Sequence, residues 1–256
     1  MLRDKIVLIT GASSGIGASC ATYFAKAQAK LLLCARRVDV VNKLAEQLKQ
    51  DYDVEIYTFK LDVSHHAEVK ATLKALPENW QQVDILFNNA GLAAGLDPLQ
   101  EGNVEDWEEM INTNIKGLLY VTREILPQMV RRNAGHIINM GSIAGHHVYP
   151  KGAVYAATKF AVNALSQGLR MDLLGTKIRV SSVDPGAVET NFSNVRFKGD
   201  ANRSAMVYEG FEPLTPDDIA DAVLYCATRP SHINISEVII MPTAQASATM
   251  ISRETS

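Results

Sequence analysis

An α/β fold is expected, with one doubly wound parallel sheet of seven strands and helices on both faces. Three observations point to it. Short apolar runs alternate with longer segments of helical spacing. A turn bearing three glycines joins the first apolar run to the first helical segment. No linker, internal repeat or low-complexity segment breaks the alternation, so residues 1–256 are expected to form a single domain.

The first strand is Ile6 to Ile9, an unbroken apolar run suited to burial on both faces. Gly11, Gly15 and Gly17 follow, and an uncharged segment of good helix formers runs on to Ala25. Strand, glycine turn and helix aim free N–H groups and the positive end of a helix at a phosphate. A Cβ there would hold the backbone off a pyrophosphate. The spacing is G-x-x-x-G-x-G rather than G-x-G-x-x-G. Ser13 and Ser14 add hydroxyl donors, and either could instead cap the helix. A tight turn with no ligand is the alternative.

Ala29 to Cys34 is the second strand. Val38 to Gln50 is a helix, with Val41, Leu44, Ala45 and Leu48 on one face. Val54 to Leu61 is the third strand, and His65 to Leu76 a short helix. Val83 to Phe87 is the fourth strand. Val104 to Arg132 reads as one long helix, which Pro127 should kink or divide because it removes a donor. His136 to Met140 is the fifth strand, Ala153 to Leu174 a long helix, and Lys177 to Val183 the sixth strand. The polar, glycine-bearing stretch 187–212 suits a mobile lid over a site. Pro216 to Thr228 is a helix with Thr215 as its cap, and Val238 to Ile240 is the seventh strand.

Apolar residues make up 47% and charged residues 21%, which is ordinary for a soluble globular chain. A net charge of −3 gives no reason to expect nucleic acid or an anionic membrane as partner. No charge falls between Lys5 and Lys26, but the continuous apolar core there is only Ile6 to Ile9. A signal peptide or membrane span requires a longer run. Cys20, Cys34 and Cys226 lack motif spacing and read as reduced core thiols of a cytoplasmic protein. No histidine and carboxylate cluster has metal-ligand spacing, and no metal is expected. Trp80 and Trp107 read as packing residues, and His146 and His147 as solvated loop residues or the lining of an entrance.

In such a sheet, ligands bind beyond the carboxyl ends of the strands. Arg36 and Arg37 follow the second strand with no acid until Asp39. A basic residue there holds a ribose 2′-phosphate, so the pair favours NADP over NAD. A solvated pair opening a helix is the alternative. Asp62 and Val63 follow the third strand; Asp62 either accepts from an adenine amino group or caps the next helix. Asn88, Asn89, Ala90 and Gly91 form a small-residue turn after the fourth strand. Ser142 follows the fifth strand, and Pro185 and Gly186 the sixth. Tyr155 and Lys159 stand four apart on a helix and so share a face. A lysine cation beside a tyrosine stabilises the phenolate and should lower the phenol pKa from its usual value near ~10.

These residues resemble the short-chain dehydrogenase/reductase family over nearly the whole chain. Thr10 to Gly17 (TGASSGIG) matches its cofactor motif, and Asn88 to Gly91 (NNAG) its second motif. Asn114, Ser142, Tyr155 and Lys159 match its catalytic tetrad in type, order and spacing, and Pro185-Gly186 its nicotinamide-side turn. The resemblance implies a Rossmann fold that binds NADP(H) through Gly11, Ser13, Ser14, Gly15, Ile16, Gly17, Arg36, Arg37, Asp62, Val63, Asn89, Ala90, Gly91, Tyr155, Lys159, Pro185, Gly186, Val188 and Thr190. It implies hydride exchange between the nicotinamide and a carbonyl or alcohol. Tyr155 is then the general acid or base, Lys159 its tuner and a ribose ligand, Ser142 a donor to the carbonyl oxygen, and Asn114 the holder of a relay water. A homotetramer, or at least a dimer, is implied too.

Within the family, Val195 to Asp200 (VRFKGD) and Met241 to Ser247 (MPTAQAS) look like the NADP-dependent 3-hydroxy acid dehydrogenases. That group includes serine 3-dehydrogenase and malonic semialdehyde reductase activities. The expected substrate is a 3-hydroxy acid of serine, allo-threonine or 3-hydroxypropionate type. Arg196 in the lid is the candidate for its carboxylate, with Lys198 second. Arg196 could instead tie the lid to an acidic neighbour or to the cofactor phosphate. The alternatives are a broad carbonyl reductase of uncharged substrates and a dinucleotide-binding sensor on the same fold.

Overall fold

The computed structural model describes residues 2–254. The strands are β1 (Ile6–Thr10), β2 (Lys30–Ala35), β3 (Ile56–Lys60), β4 (Ile85–Asn88), β5 (Gly135–Met140), β6 (Ile178–Pro185) and β7 (Glu237–Ile240). They form one parallel sheet in the order β3-β2-β1-β4-β5-β6-β7. The order reverses between β1 and β4, which opens a crevice at the strands' carboxyl ends. The expected single-domain, doubly wound fold is the one observed.

The helices are α1 (Gly15–Lys26), α2 (Val38–Tyr52), α3 (His66–Lys74), α4 (Val104–Ile111), α5 (Leu118–Arg132), α6 (Ala153–Asp172), α7 (Phe192–Arg196), α8 (Ala201–Met206) and α9 (Pro216–Thr228). Strand periodicity divides the core. Val7 and Ile9 pack with Phe24 of α1 and Ile219 and Val223 of α9. Ile6 and Leu8 point to the opposite face, against Val69 of α3 and Val121, Ile125 and Met129 of α5. The unbroken apolar runs are therefore strands covered on both sides. Trp80 belongs to the second cluster, and the three cysteines are buried and free. A capping box starts α9: the Asp218 carboxylate accepts from the Thr215 N–H at 2.7 Å, and Thr215 Oγ1 accepts from the Asp218 N–H at 3.4 Å.

One expectation is corrected. The run 104–132 is divided, but not at Pro127, which lies inside α5 without ending it. The interruption is a π-helical segment, Asn112–Gly117, that carries Asn114. At its end, a Cβ on Gly117 would come 2.7 Å from Val63 Cγ2, so a glycine lets the widened turn close on the loop after β3.

Candidate active site

The glycine turn between β1 and α1 is supported from beneath by the turn after β4. Gly11 has φ +68° and Gly15 φ +55°, a region L side chains avoid. A Cβ on Gly17 would strike the Gly11 carbonyl oxygen, and one on Gly11 would come 2.9 Å from Ala90 Cα. Asn89 Nδ2 donates to the carbonyls of Thr10 and Gly11 at 2.9 and 3.2 Å. Thr10 Oγ1 accepts from the N–H groups of Asn89 and Ala90 at 3.1 and 3.0 Å. Asn89 and Ala90 thus brace the turn. Ser14 stands at the N-cap of α1 but makes no cap bond. Arg37 Nη2 instead donates to the hydroxyls of Ser13 and Ser14, both at 3.1 Å. Glycine backbone, two hydroxyls and a guanidinium make a cationic cradle that fits a phosphate. Arg36 points elsewhere, to Glu109 at 3.4 Å.

The other end of the crevice gathers the four residues of the tetrad, all buried. Ser142 follows β5, and its Oγ accepts from the Ala144 N–H at 3.1 Å. Tyr155 and Lys159 come from α6. Lys159 Nζ donates to the Met140 carbonyl at 2.9 Å and lies 5.8 Å from the centroid of the Tyr155 ring. The side chain of Asn114 is fully engaged by its neighbours. Oδ1 accepts from the Leu92 N–H at 2.9 Å, and Nδ2 donates to the Leu92 carbonyl at 2.8 Å and Thr158 Oγ1 at 3.0 Å.

The electrostatics reverse one expectation. Burial pushes the Tyr155 phenol above its ordinary value, and Tyr149 adds to the rise; the Ser142 hydroxyl and the Arg196 guanidinium oppose it. Lys159 is not among the groups that lower it. Burial pulls Lys159 itself down to about 8, with the charge of Asp184 opposing. Desolvation disfavours the charged form of each and is the largest cause of both shifts.

A family model described as short chain dehydrogenase matches residues 5–201. The chain belongs to the short chain dehydrogenase family.

As a short chain dehydrogenase it is an oxidoreductase, and its relatives are close along their full length. It is 46% identical over 244 residues to the NADP-dependent 3-hydroxy acid dehydrogenase YdfG of Salmonella typhi, covering 95% of this chain and 97% of that protein. It is 43% identical over 254 residues to the NADP-dependent 3-hydroxy acid dehydrogenase of Schizosaccharomyces pombe, covering 99% and 98%. Among solved structures, the closed form of serine dehydrogenase complexed with NADP+ matches with a TM-score of 0.90 and 44% identity, covering 98% of this chain and 100% of that one.

The remaining sequence-marked residues of this dehydrogenase fall around the crevice. Asp62 does not cap α3: His65 is the N-cap, and the half-buried Asp62 carboxylate accepts through Oδ1 from Ser64 N and Oγ at 3.0 and 2.7 Å. Burial raises its pKa, but these bonds and Arg36 bring it below the usual carboxylate range. Ile16 packs on the first core cluster. The Gly186 N–H donates to the Ile240 carbonyl at 2.7 Å. Val188 is buried and takes a hydrogen bond from Tyr208 at 2.8 Å. A Cβ on Gly15 would lie 3.4 Å from Thr190, so segment 187–212 returns to the glycine turn.

Arg196 and Lys198 separate in role. Lys198 pairs with Asp106 at 2.9 Å. Arg196 Nη2 donates to the Tyr149 hydroxyl at 2.7 Å and Nε to the Gly95 carbonyl at 3.2 Å. The guanidinium stands 5.6 Å from the Tyr155 ring centroid and 5.3 Å from that of Tyr149. Tyr149 was silent in the sequence, though its place between Ser142 and Tyr155 was the one available signal. His146 is not a solvated loop residue. Its Nε2 lies 3.1 Å from Asp184 and 3.6 Å from Glu237, bringing together a histidine and two carboxylates from distant segments. Linear spacing could not reveal that cluster.

Proposed function

We propose that this chain is an NADP-dependent oxidoreductase that interconverts a 3-hydroxy acid, of serine, allo-threonine or 3-hydroxypropionate type, with its 3-oxo acid or semialdehyde. The reading is carried by Arg196, a guanidinium held over the buried ring of Tyr155. Among the described residues, its Nη1 has no hydrogen-bond partner. An arginine fork suits a carboxylate, and a substrate bearing one beside its reacting carbon would satisfy Arg196 and Tyr155 together. Asp106, which lines the same hollow, is already paired with Lys198. The names of the close relatives point the same way.

Bound NADP(H) supplies the hydride acceptor or donor. The rest belongs to the chain. The glycine cradle and Arg37 hold the cofactor's phosphates, with Arg36 nearby. Ser142 donates to the reacting oxygen, where negative charge develops. Tyr155 gives a proton to that oxygen in reduction and takes it in oxidation. A raised phenol pKa suits the acid role at neutral pH. Lys159 supplies positive charge and a donor, and Asn114 fixes the floor of the site. Segment 187–212, with α7 and α8, is a lid that excludes water when Arg196 docks. We place the enzyme in the cytoplasm as a homotetramer.

The test compares substrates in Arg196→Ala. Efficiency toward a 3-hydroxy acid should fall at least ~10-fold more than toward its methyl ester, because one charge-assisted contact is worth about 1.5–3 kcal/mol. Equal losses would make Arg196 a lid tie through Tyr149 and favour a neutral carbonyl reductase.

A further inference from the structure

Behind the active site, on the far side of Gly141, lies a carboxylate that the roles above do not use. Asp184 is 1% exposed, near the end of β6. Its Oδ1 accepts from Ser182 Oγ at 2.6 Å, and its Oδ2 faces His146 Nε2 at 3.1 Å. A Cβ on Gly141 would coincide with Oδ1, so the carboxylate presses on that residue's backbone. The Gly141 N–H is fixed by the Val183 carbonyl at 2.9 Å. On one side of Gly141 is the Met140 carbonyl that accepts from Lys159, and on the other is Ser142.

We propose that Asp184 is a positioning residue: its carboxylate seats the Met140–Ser142 backbone, and its negative charge keeps Lys159 in the ammonium form. This rests on the roles given above to Lys159 and Ser142. A buried carboxylate carries a desolvation cost that an asparagine of the same shape, bonding Ser182 and His146, would avoid. The ionisable groups around the pair are few among the described residues. Lys159 and Tyr155 stand on α6, His146 comes from the loop after β5, and Glu237 from β7 adjoins His146. Asp184 opposes the downward pull of burial on Lys159; burial raises the Asp184 carboxyl above the usual range, and the Ser182 hydroxyl and His146 work against that rise. The pair thereby raises the pH at which Lys159 loses its proton, against the larger pull of burial.

Asp184→Asn isolates the charge. The primary readout is the NMR titration of the labelled Lys159 side chain in the cofactor-free protein, which is independent of the substrate assigned above. Its midpoint should fall by about one pH unit, the lower end of what one neighbouring charge does. The alkaline limb of NADPH-dependent turnover should move down by the same amount, with the rate recovering toward wild type near pH 6. A purely structural role would lower the rate equally at every pH. Should Asp184→Asn fail to fold, Asp184→Ser removes the same charge from a smaller side chain and should move the midpoint the same way. An unmoved Lys159 midpoint in the folded variants overturns the proposal. So does stabilisation of the wild type, but not of His146→Ala, by Zn²⁺, which would make the cluster a metal site.

Discussion

Cofactor choice should rest on Arg37 more than on Arg36. The two are adjacent, yet Arg37 Nη2 leans on the Ser13 and Ser14 hydroxyls of the glycine turn while Arg36 faces Glu109 at 3.4 Å. A charge-assisted hydrogen bond to a phosphate is worth about 1.5–3 kcal/mol. Arg37 is exposed, so the lower end applies for each contact. At about 1.4 kcal/mol per factor of ten, Arg37→Ala should raise the KM for NADP ~10-fold, and up to ~100-fold if both guanidinium nitrogens reach the phosphate. Arg36→Ala should cost only ~2–3-fold, because Glu109 already offsets its charge. The KM for NAD should change little in either variant. Steady-state kinetics with both cofactors at two ionic strengths is the assay, and the NADP effect should shrink as salt rises. Equal rises for NADP and NAD would show that the arginines are ordinary surface charge.

Tyr155→Phe should lower turnover ~10²-fold or more while NADPH still binds by fluorescence titration; retention of a tenth of the rate would remove Tyr155 from acid–base catalysis. Reduction should weaken as pH rises through about 8, since burial sets the Lys159 transition there and the ammonium is present only below it; a flat profile to pH 9.5 would contradict this. Gly17→Ala forces a Cβ onto the Gly11 carbonyl, an overpacking of about 1–3 kcal/mol. For a chain of this size that lowers Tm by ~2–12 °C in calorimetry, and a change under a degree would mean the turn can open. Leu119 and Val130 on α5 and Phe160 and Met171 on α6 are exposed apolar side chains. Light scattering should therefore find a dimer or tetramer at micromolar concentration rather than a monomer.

What was legible in the sequence is what local physics writes there. Runs such as Ile6 to Ile9 declare strands covered on both faces, and the glycines declare a turn with no room for Cβ. Family motifs carried the tetrad, because their order survives in the chain even where their contacts do not. The meeting of Arg196 with Tyr149 and of His146 with Asp184 joins residues 47 and 38 apart, and no spacing rule reports such contacts. Pro127 misled because a missing donor is visible in sequence, whereas a π-helical turn leaves the apolar periodicity on either side intact. The direction of the Tyr155 pKa was misjudged for a similar reason. The neighbouring lysine is visible in the sequence, but the desolvation that raises the phenol pKa arises only in the folded chain.

The π-helical segment also sets a conflict between durability and activity. An α-helix turns ~100° per residue, so one surplus residue in a turn rotates everything beyond it by that angle. Deleting a single residue from Asn112–Gly117 would restore regular α geometry and its better hydrogen bonds. The same deletion would swing the Asn114 amide off Leu92 and Thr158, the two places where it is anchored. A selection for heat resistance alone should therefore favour such deletions, and a selection for turnover should remove them. The irregular turn persists only as long as the chain is used as a catalyst.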